Sequence, residues 1–254
     1  MNSHRKDMIC ALLKGIETGA PDSVAVIHPD KYIQHNPQTH EGRQGLAALF
    51  QRLSKSNPHV NIVRIFSDGD YVFGHTEYDF STRRIGFEVF RFEGDFAVEH
   101  WDNIQPRRGP NPSGHSMVDG PTEVSALEDT ETHRAHVRDF VERVLIGQQL
   151  DQLGAFVSAE RFTEHNPRLE DGLPSLRAAL GSAAAQGPRV QYQRLHRVLA
   201  EGNFVLAVSE GTVDGAHSAL YDLFRLEGRR IVEHWDTTEA VAPPAEWKNS
   251  NGKF

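Results

Sequence analysis

The 254-residue chain predicts an α+β protein of two tandem cone-shaped units, each with about three N-terminal helices on a curved, mainly antiparallel sheet. The first observation is a repeated tetrapeptide, since Glu99-His100-Trp101-Asp102 returns as Glu233-His234-Trp235-Asp236 at a shift of 134. Each copy closes two strand-like runs around a Glu-Gly turn, which is typical of a β-hairpin. The second observation is that helical spacing precedes the strands in both halves, and this order indicates helices packed on one face of a sheet. Such a sheet must curl to be covered, which leaves a cone with an open end.

The elements of the first half follow from local periodicity and from residues that break it. Their predicted order is a helix over 4–19, a short helix over 20–27, a His-Asn-Pro loop at 35–37, a helix over 42–54, and strands over 60–67, 71–80, 84–92 and 97–104. The second half repeats this order, with helices over 130–146 and 150–157, a His-Asn-Pro loop at 165–167, and a strand over 204–210 that answers Tyr71–Glu77. The shift drifts from 130 at the loops to 133 at these strands, as an internal duplication with small loop insertions predicts.

The domain boundaries follow from composition. The two units are predicted at residues 1–105 and 130–242. Proline and glycine punctuate residues 106–129, which predicts a linker, with Met117 and Val118 as apolar anchors. Residues 243–254 are predicted to form a C-terminal tail.

Composition limits the possible partners and compartments. A net charge of −8 and an isoelectric point near 5.9 give no reason to expect nucleic acid or an anionic membrane. No apolar run approaches the roughly 20 residues of a membrane span. The single cysteine, Cys10, excludes an internal disulfide and suits a reducing cytosol, so the protein is predicted to be cytoplasmic. No Gly-rich phosphate loop, Gly-x-Ser-x-Gly or paired-cysteine motif is present, and no cofactor is predicted.

The early His-Asn-Pro and the late Phe-Arg-(Phe/Leu)-Glu-Gly and Val-Glu-His-Trp-Asp motifs together resemble the SnoaL-like branch of the nuclear transport factor 2-like superfamily. The resemblance covers residues 5–105 and 130–240. It implies a pocket inside each cone, lined by the inner sheet face and by the loop after the first helices. Relatives include SnoaL-type polyketide cyclases, ketosteroid isomerase, scytalone dehydratase and limonene-epoxide hydrolase, and others only bind or transport. The resemblance therefore supports the place of a site better than a reaction.

Strand alternation, taken with the inward face that the resemblance implies, predicts the polar residues of the pocket. The predicted catalytic set is His35, His75, Glu88, His100 and Asp102. The predicted substrate-binding residues are Tyr32, Tyr71, Phe73, Phe90, His165, Asp222, His234 and Asp236. Burial raises a carboxyl pKa toward neutrality and histidine titrates there already, so this set suits removal of a proton α to a carbonyl, with a histidine stabilising the enolate oxygen. The resemblance places the acid/base role on Asp102.

The prediction favours the first half as the more competent site, because Val208 stands where His75 is expected in the second. The predicted function is a cofactor-independent isomerase, cyclase/aldol enzyme or hydratase/dehydratase acting on a small, mostly apolar carbonyl or hydroxyl compound. The two units are predicted to form an intramolecular pseudo-dimer, with outward Trp101 and Trp235 as candidate contacts, and two chains to be capable of forming a homodimer.

Several alternatives stay open. If the inward face is reversed, Glu88 and Asp222 belong to a solvated face. Whichever face is inward, His35 is also explained as capping a helix or tying a loop, and His100 and His234 as core histidines bonded to the neighbouring strand. His35, His75 and His100 are a candidate three-histidine metal site, with Glu88 or Asp102 beside them. A non-catalytic small-molecule binding module is the main rival to an enzyme.

Overall fold

The computed structural model describes residues 2–181 and 189–254 and divides the chain into two compact units. Unit 1 comprises Met1–Pro106 together with Val241–Phe254, and unit 2 comprises Arg107–Ala240. Each unit has helices followed by a five-stranded mixed sheet, which confirms the predicted α+β class.

Unit 1 has two α-helices and five strands. The helices are α1 (Asn2–Thr18) and α2 (Gly42–Ser54), with a 3₁₀ turn at Pro21–Val24 between them, and the strands are β1 (Ile33–Gln34), β2 (His59–Asp68), β3 (Tyr71–Asp79), β4 (Arg83–Glu93) and β5 (Phe96–Pro106). The four long strands form an antiparallel meander in the order β5-β4-β3-β2. The short β1 lies parallel to β5, with Gln34 opposite His100. This fifth strand is absent from the predicted set, because its pairing depends on a partner more than sixty residues away and leaves no local periodicity.

Unit 2 repeats the arrangement. Its helices are α3 (Thr130–Phe140), α4 (Leu153–Phe156) and α5 (Leu173–Leu180), and its strands are β6 (Thr163–Glu164), β7 (Val190–Glu201), β8 (Phe204–Val213), β9 (Ala216–Glu227) and β10 (Arg230–Ala240). The single helix predicted over 130–146 is α3 followed by a π-helical turn at Val141–Ile146. The sheet order is β6-β10-β9-β8-β7, and β6 is again parallel to its neighbour.

One face of each sheet packs against the helices and is called the inner face here. In unit 1, Leu12 and Ile16 of α1 belong to one buried cluster with Phe90 and Phe92 of β4. Burial of such apolar surface is the main driving force for this packing. The corresponding cluster of unit 2 joins α3 to β7, β8 and β9. The inner faces are therefore the apolar surroundings in which polar strand residues have to be accommodated.

The segments after β5 and β10 belong to the unit other than the one whose sheet they follow. Residues from Arg107 onward pack on unit 2, where the Asn111 side chain donates to the carbonyl of Glu164 at 2.7 Å. The C-terminal tail packs on unit 1, where the Asn251 side chain donates to the carbonyl of Gln34 at 3.1 Å. Each short parallel strand is thus tied down by one of these extensions.

Within the described ranges, no helix combines the length and the apolar character needed to cross a membrane.

Candidate functional site

Three of the predicted catalytic residues lie together on the inner face of unit 1. The register pairs Phe90 with His100 and Glu88 with Asp102, so Glu88, His100 and Asp102 share that face. All three are buried. Alternation along β4 and β5 places them correctly, because successive strand residues point to opposite faces.

The polar atoms of this cluster are already engaged within unit 1. His100 lies between two side chains, with Nε2 at 2.7 Å from Glu88 Oε2 and Nδ1 at 3.0 Å from Gln34 Oε1. The Tyr78 hydroxyl donates to Glu88 Oε1 at 2.6 Å. Both oxygens of the Glu88 carboxylate are therefore hydrogen-bonded.

The carboxylate of Asp102 is paired with a cation from the C-terminal tail. The Lys253 ammonium lies 3.2 Å from Asp102 Oδ1, and the Asn36 amide donates to Oδ2 at 2.6 Å. Burial alone would raise the pKa of Asp102, but Lys253, His100 and Asn36 hold that pKa below its ordinary value. Burial raises the pKa of Glu88 despite its bond to His100. Asp102 is thus a paired, ionised group, which is a poor proton acceptor near neutral pH.

Strand register contradicts the predicted inward position of His75, Tyr71 and Phe73. Gly74, not His75, lies opposite Glu88, and His75 lies opposite Phe87. His75 stacks on the Phe87 ring and contacts Arg64 at 3.1 Å. These β3 residues lie on the outer face, because a register one residue away from the expected one moves every side chain to the other face.

The loop histidines His35 and His165 are also on the outer face, contrary to the prediction. His35 Nε2 lies 3.0 Å from Glu99, and its ring stacks on Trp101 at 4.6 Å. His165 repeats this arrangement with Glu233 at 2.9 Å and Trp235 at 4.6 Å. The three-histidine metal site is wrong for the same reason, since His35 and His75 lie on the face opposite His100. Both tryptophans lie on the outer face as expected, but they are buried against these histidines.

Unit 2 has an equivalent inner-face cluster with a different composition. His234 lies between two carboxylates, with Nδ1 at 3.0 Å from Glu164 and Nε2 at 3.0 Å from Asp222 Oδ1. The Tyr192 hydroxyl donates to the same Asp222 oxygen at 2.9 Å. Asp236 lies opposite Asp222 in the register and accepts a hydrogen bond from the Asn166 amide at 2.8 Å.

The electrostatics of this cluster shift two pKa values strongly. Burial works against a charged His234, yet the contacts with Glu164 and Asp222 raise its pKa well above the ordinary value, so the imidazolium persists at neutral pH. Burial raises the pKa of Asp236 to about 6, and the Glu164 and Asp222 carboxylates add to that effect while His234 and Asn166 oppose it. Asp236 therefore changes protonation in the physiological range.

A cavity of about 1140 Å³ adjoins this cluster, which is at the upper end of small-molecule pockets. Asp222, His234 and Asp236 line it together with Tyr192 and Asn166. The remaining inner wall is mainly apolar and includes Phe140, Leu145, Val157, Phe162, Leu176 and Phe224. A buried carboxyl with a pKa of about 6 thus faces a large, mostly apolar space.

Two substitutions between the units explain why their carboxylates differ. Gln34, which contacts His100, is replaced by Glu164 in unit 2. The second substitution is found by comparing what contacts the loop histidines. The carbonyl of Gly252, the residue before Lys253, lies 3.0 Å from His35 Nδ1. The carbonyl of Ser116, the residue before Met117, lies 2.7 Å from His165 Nδ1. Met117 therefore corresponds to Lys253 along the chain, so unit 2 has a carboxyl group in place of the Gln34 amide and an uncharged residue in place of Lys253.

A family model described as a SnoaL-like domain matches residues 10–109. This part of the chain is a SnoaL-like domain. No curated protein matches the chain in sequence.

Solved structures match between 41% and 46% of the chain. TsrD from Streptomyces laurentii is 16% identical over 41% of this chain and 91% of its own, with a TM-score of 0.37. A suggested ketosteroid isomerase from Kribbella flavida is 18% identical over 46% and 84%, with a TM-score of 0.38. An epoxide hydrolase of the LEH-like type from M. tuberculosis is 19% identical over 41% and 84%, with a TM-score of 0.36.

Several polar residues around the two inner-face clusters were missed from the sequence: Gln34, Asn36, Tyr78, Glu164, Asn166, Tyr192 and Lys253. The His-Asn-Pro repeat did carry a signal for Asn36 and Asn166. In each copy the asparagine and the residue two positions earlier share a face, while the histidine between them points to the other. Tyr192 and Lys253 come from distant segments and gave no such signal.

Proposed function

We propose that unit 2 is a cofactor-independent acid–base site that transfers a proton to or from a small, mostly apolar carbonyl or hydroxyl compound. The reaction classes are those of an isomerase, a cyclase/aldol enzyme or a hydratase/dehydratase. The observation that carries the proposal is Asp236, a buried carboxyl with a pKa of about 6 in the wall of the 1140 Å³ cavity. General acids and bases work best when their pKa lies near the working pH.

Asp236 is the group proposed to take or give the proton. Above about pH 6 it is a carboxylate in apolar surroundings, which makes it a stronger base than an exposed aspartate. The Asn166 amide fixes its Oδ2 oxygen. The apolar wall excludes water and holds the carbon skeleton of the substrate against this carboxylate.

His234 is proposed to act through its charge and not as a hydrogen-bond donor to the substrate. Both of its ring nitrogens are occupied, one by Glu164 and the other by Asp222. This differs from the sequence-based expectation that a histidine donates to an enolate oxygen. The imidazolium instead opposes the repulsion among the three carboxylates around it.

Replacing Asp236 by asparagine tests the proposal. We expect the wild-type protein to catalyse exchange of the α-protons of apolar cyclic ketones in D₂O, with a rate that rises with pH through about 6 as Asp236 ionises. Asp236→Asn should lower this rate by about a hundredfold, the lower range for loss of a general base. Proton NMR of the ketones measures the exchange.

Asp102→Asn decides between the two units. If the exchange rate falls with Asp102→Asn and not with Asp236→Asn, the active unit is unit 1 and the proposal is wrong. If the ketones bind but neither carboxylate affects exchange, and carbon-13 NMR shows Asp236 titrating near the ordinary value of about 4, the non-catalytic binding module is the better description.

A further inference from the structure

The inner-face cluster of unit 2 has more negative than positive groups. Glu164, Asp222 and Asp236 provide three carboxyl groups, and the cation that contacts Glu164 and Asp222 is the His234 imidazolium. Glu164 and Asp222 are 0% and 1% exposed, so water screens them little. The rest of the cavity lining has two basic residues, Arg168 and Arg177, and two acidic residues, Glu170 and Asp171. The excess of negative charge is therefore internal.

Unit 1 shows how the same framework is neutralised. There the cluster has two carboxyl groups, Glu88 and Asp102; His100 contacts the first, and the Lys253 ammonium is paired with the second. Unit 2 has Glu164 where unit 1 has neutral Gln34, and Met117 where it has Lys253. Buried charges in proteins are normally paired, so the excess in unit 2 needs a partner.

Asp222 has an oxygen available for that partner. Both of its donors, the Tyr192 hydroxyl and His234 Nε2, bind Oδ1. Its buried Oδ2 has no hydrogen-bond partner among residues 2–181 and 189–254. In unit 1 the two donors to Glu88 are divided between its two oxygens. Asp222 also lines the cavity.

We propose that the cavity of unit 2 binds a protonated amine on a mostly apolar body, with an ammonium N–H donating to Asp222 Oδ2. The inference rests on the proposed acid–base site and assigns its substrate class. In this proposal Asp222 binds the ammonium group and Asp236 transfers the proton. A bound ammonium also removes the electrostatic cost of forming an enolate beside three carboxylates.

A matched pair of ligands tests the amine preference without a known substrate. Cyclohexylmethylamine is protonated near neutral pH, as a lysine side chain is, and cyclohexylmethanol has nearly the same shape without the charge. We expect the amine to bind the wild-type protein about tenfold or more tightly than the alcohol, as a charged hydrogen bond in a buried site implies. Isothermal titration calorimetry measures both.

Asp222→Asn should bring the two affinities close together, whereas Asp151→Asn, which removes an exposed carboxylate of the same unit, should keep the difference. Equal affinities in the wild-type protein, or a preference that survives Asp222→Asn, would overturn the inference. If Asp222→Asn does not fold, the carbon-13 shift of the Asp222 carboxyl in the wild-type protein replaces it: movement on adding the amine supports the contact, and no movement contradicts it.

The outcome is separable from that of the proposed function. Equal affinities together with Asp236-dependent exchange of neutral ketones would remove the amine preference and leave the acid–base site intact. A strong amine preference without any exchange would support the ligand class while the proposed reaction fails.

Discussion

At about pH 7.5, Asp236→Asn is expected to raise the free energy of unfolding of unit 2 by about 2 kcal/mol, while Asp102→Asn lowers that of unit 1 by about 3 kcal/mol. The two substitutions are chemically identical and affect equivalent positions of β10 and β5. Their opposite signs follow from the partners. Burial disfavours the charged form of Asp236 and the Glu164 and Asp222 carboxylates add to that effect, whereas Asp102 is paired with Lys253.

The pH dependence of Asp236→Asn follows from the direction of its shift. The pKa of Asp236 is raised from 3.8 in the unfolded chain to about 6 in the folded protein. The folded protein therefore holds an extra proton between these values, and the wild type loses stability as the pH rises through them. Two pKa units correspond to roughly 3 kcal/mol as an upper limit. The advantage of asparagine should be small at pH 4 and complete above pH 6.

Asp102→Asn has the opposite dependence. The folded-state pKa of Asp102 lies below 3.8, so its stabilising contribution is present above 3.8 and is lost as the pH falls through the folded value. Hydrogen exchange resolved by residue in β5 and β10 measures each unit separately, which matters because two units need not unfold together. If both variants changed the free energy of unfolding in the same direction, the proposed difference between the electrostatic surroundings of Asp102 and Asp236 would be wrong.

Local periodicity predicted the sheet meanders and put His100 with Asp102, and His234 with Asp236, on one face of a strand. That this face is the inner one was implied by the resemblance to the SnoaL-like family. The repeated tetrapeptide puts the histidine and the aspartate two residues apart on a strand, and side chains two apart point to the same face. Across a turn this reasoning fails. The β3–β4 connection pairs Asp79 with Arg83, which places His75 opposite Phe87. If the turn between β3 and β4 had one residue more or fewer, His75 would lie on the same face as Glu88. The number of residues in this turn could not be read from its sequence.

The balance of charges in the two inner-face clusters could not be predicted from the sequence, because it depends on residues that are far apart in the chain. Lys253 contacts Asp102 across 151 residues, and nothing in the polar tail marks it as a buried cation. Its counterpart Met117 lies in a stretch predicted to be a linker. The preference for unit 1 as the competent site rested instead on His75, for which unit 2 has Val208, and His75 lies on the outer face, opposite Phe87. The proposed function therefore places the site in unit 2.

Lys253→Met, which copies the residue of unit 2, is expected to destabilise unit 1 by about 3–5 kcal/mol. Lys253 and Asp102 are 3% and 4% exposed, so the variant leaves a buried carboxylate without its cation. The pKa of Asp102 should rise, because burial already favours the protonated form and Lys253 opposes it. Urea unfolding followed by amide exchange in β5 measures the stability, and carbon-13 NMR measures the titration.

The double variant Asp102→Asn with Lys253→Met should recover most of the loss, to within about 1 kcal/mol of the wild type, because removing both charges leaves neither buried alone. The tail should then remain docked, since the Asn249 and Asn251 side chains still donate to the carbonyls of Asn36 and Gln34. If the single and double variants lose the same stability, Lys253 acts through packing of its alkyl chain and not as a counter-ion. The difference between the electrostatic surroundings of Asp102 and Asp236 would then have to come from the replacement of Gln34 by Glu164 alone.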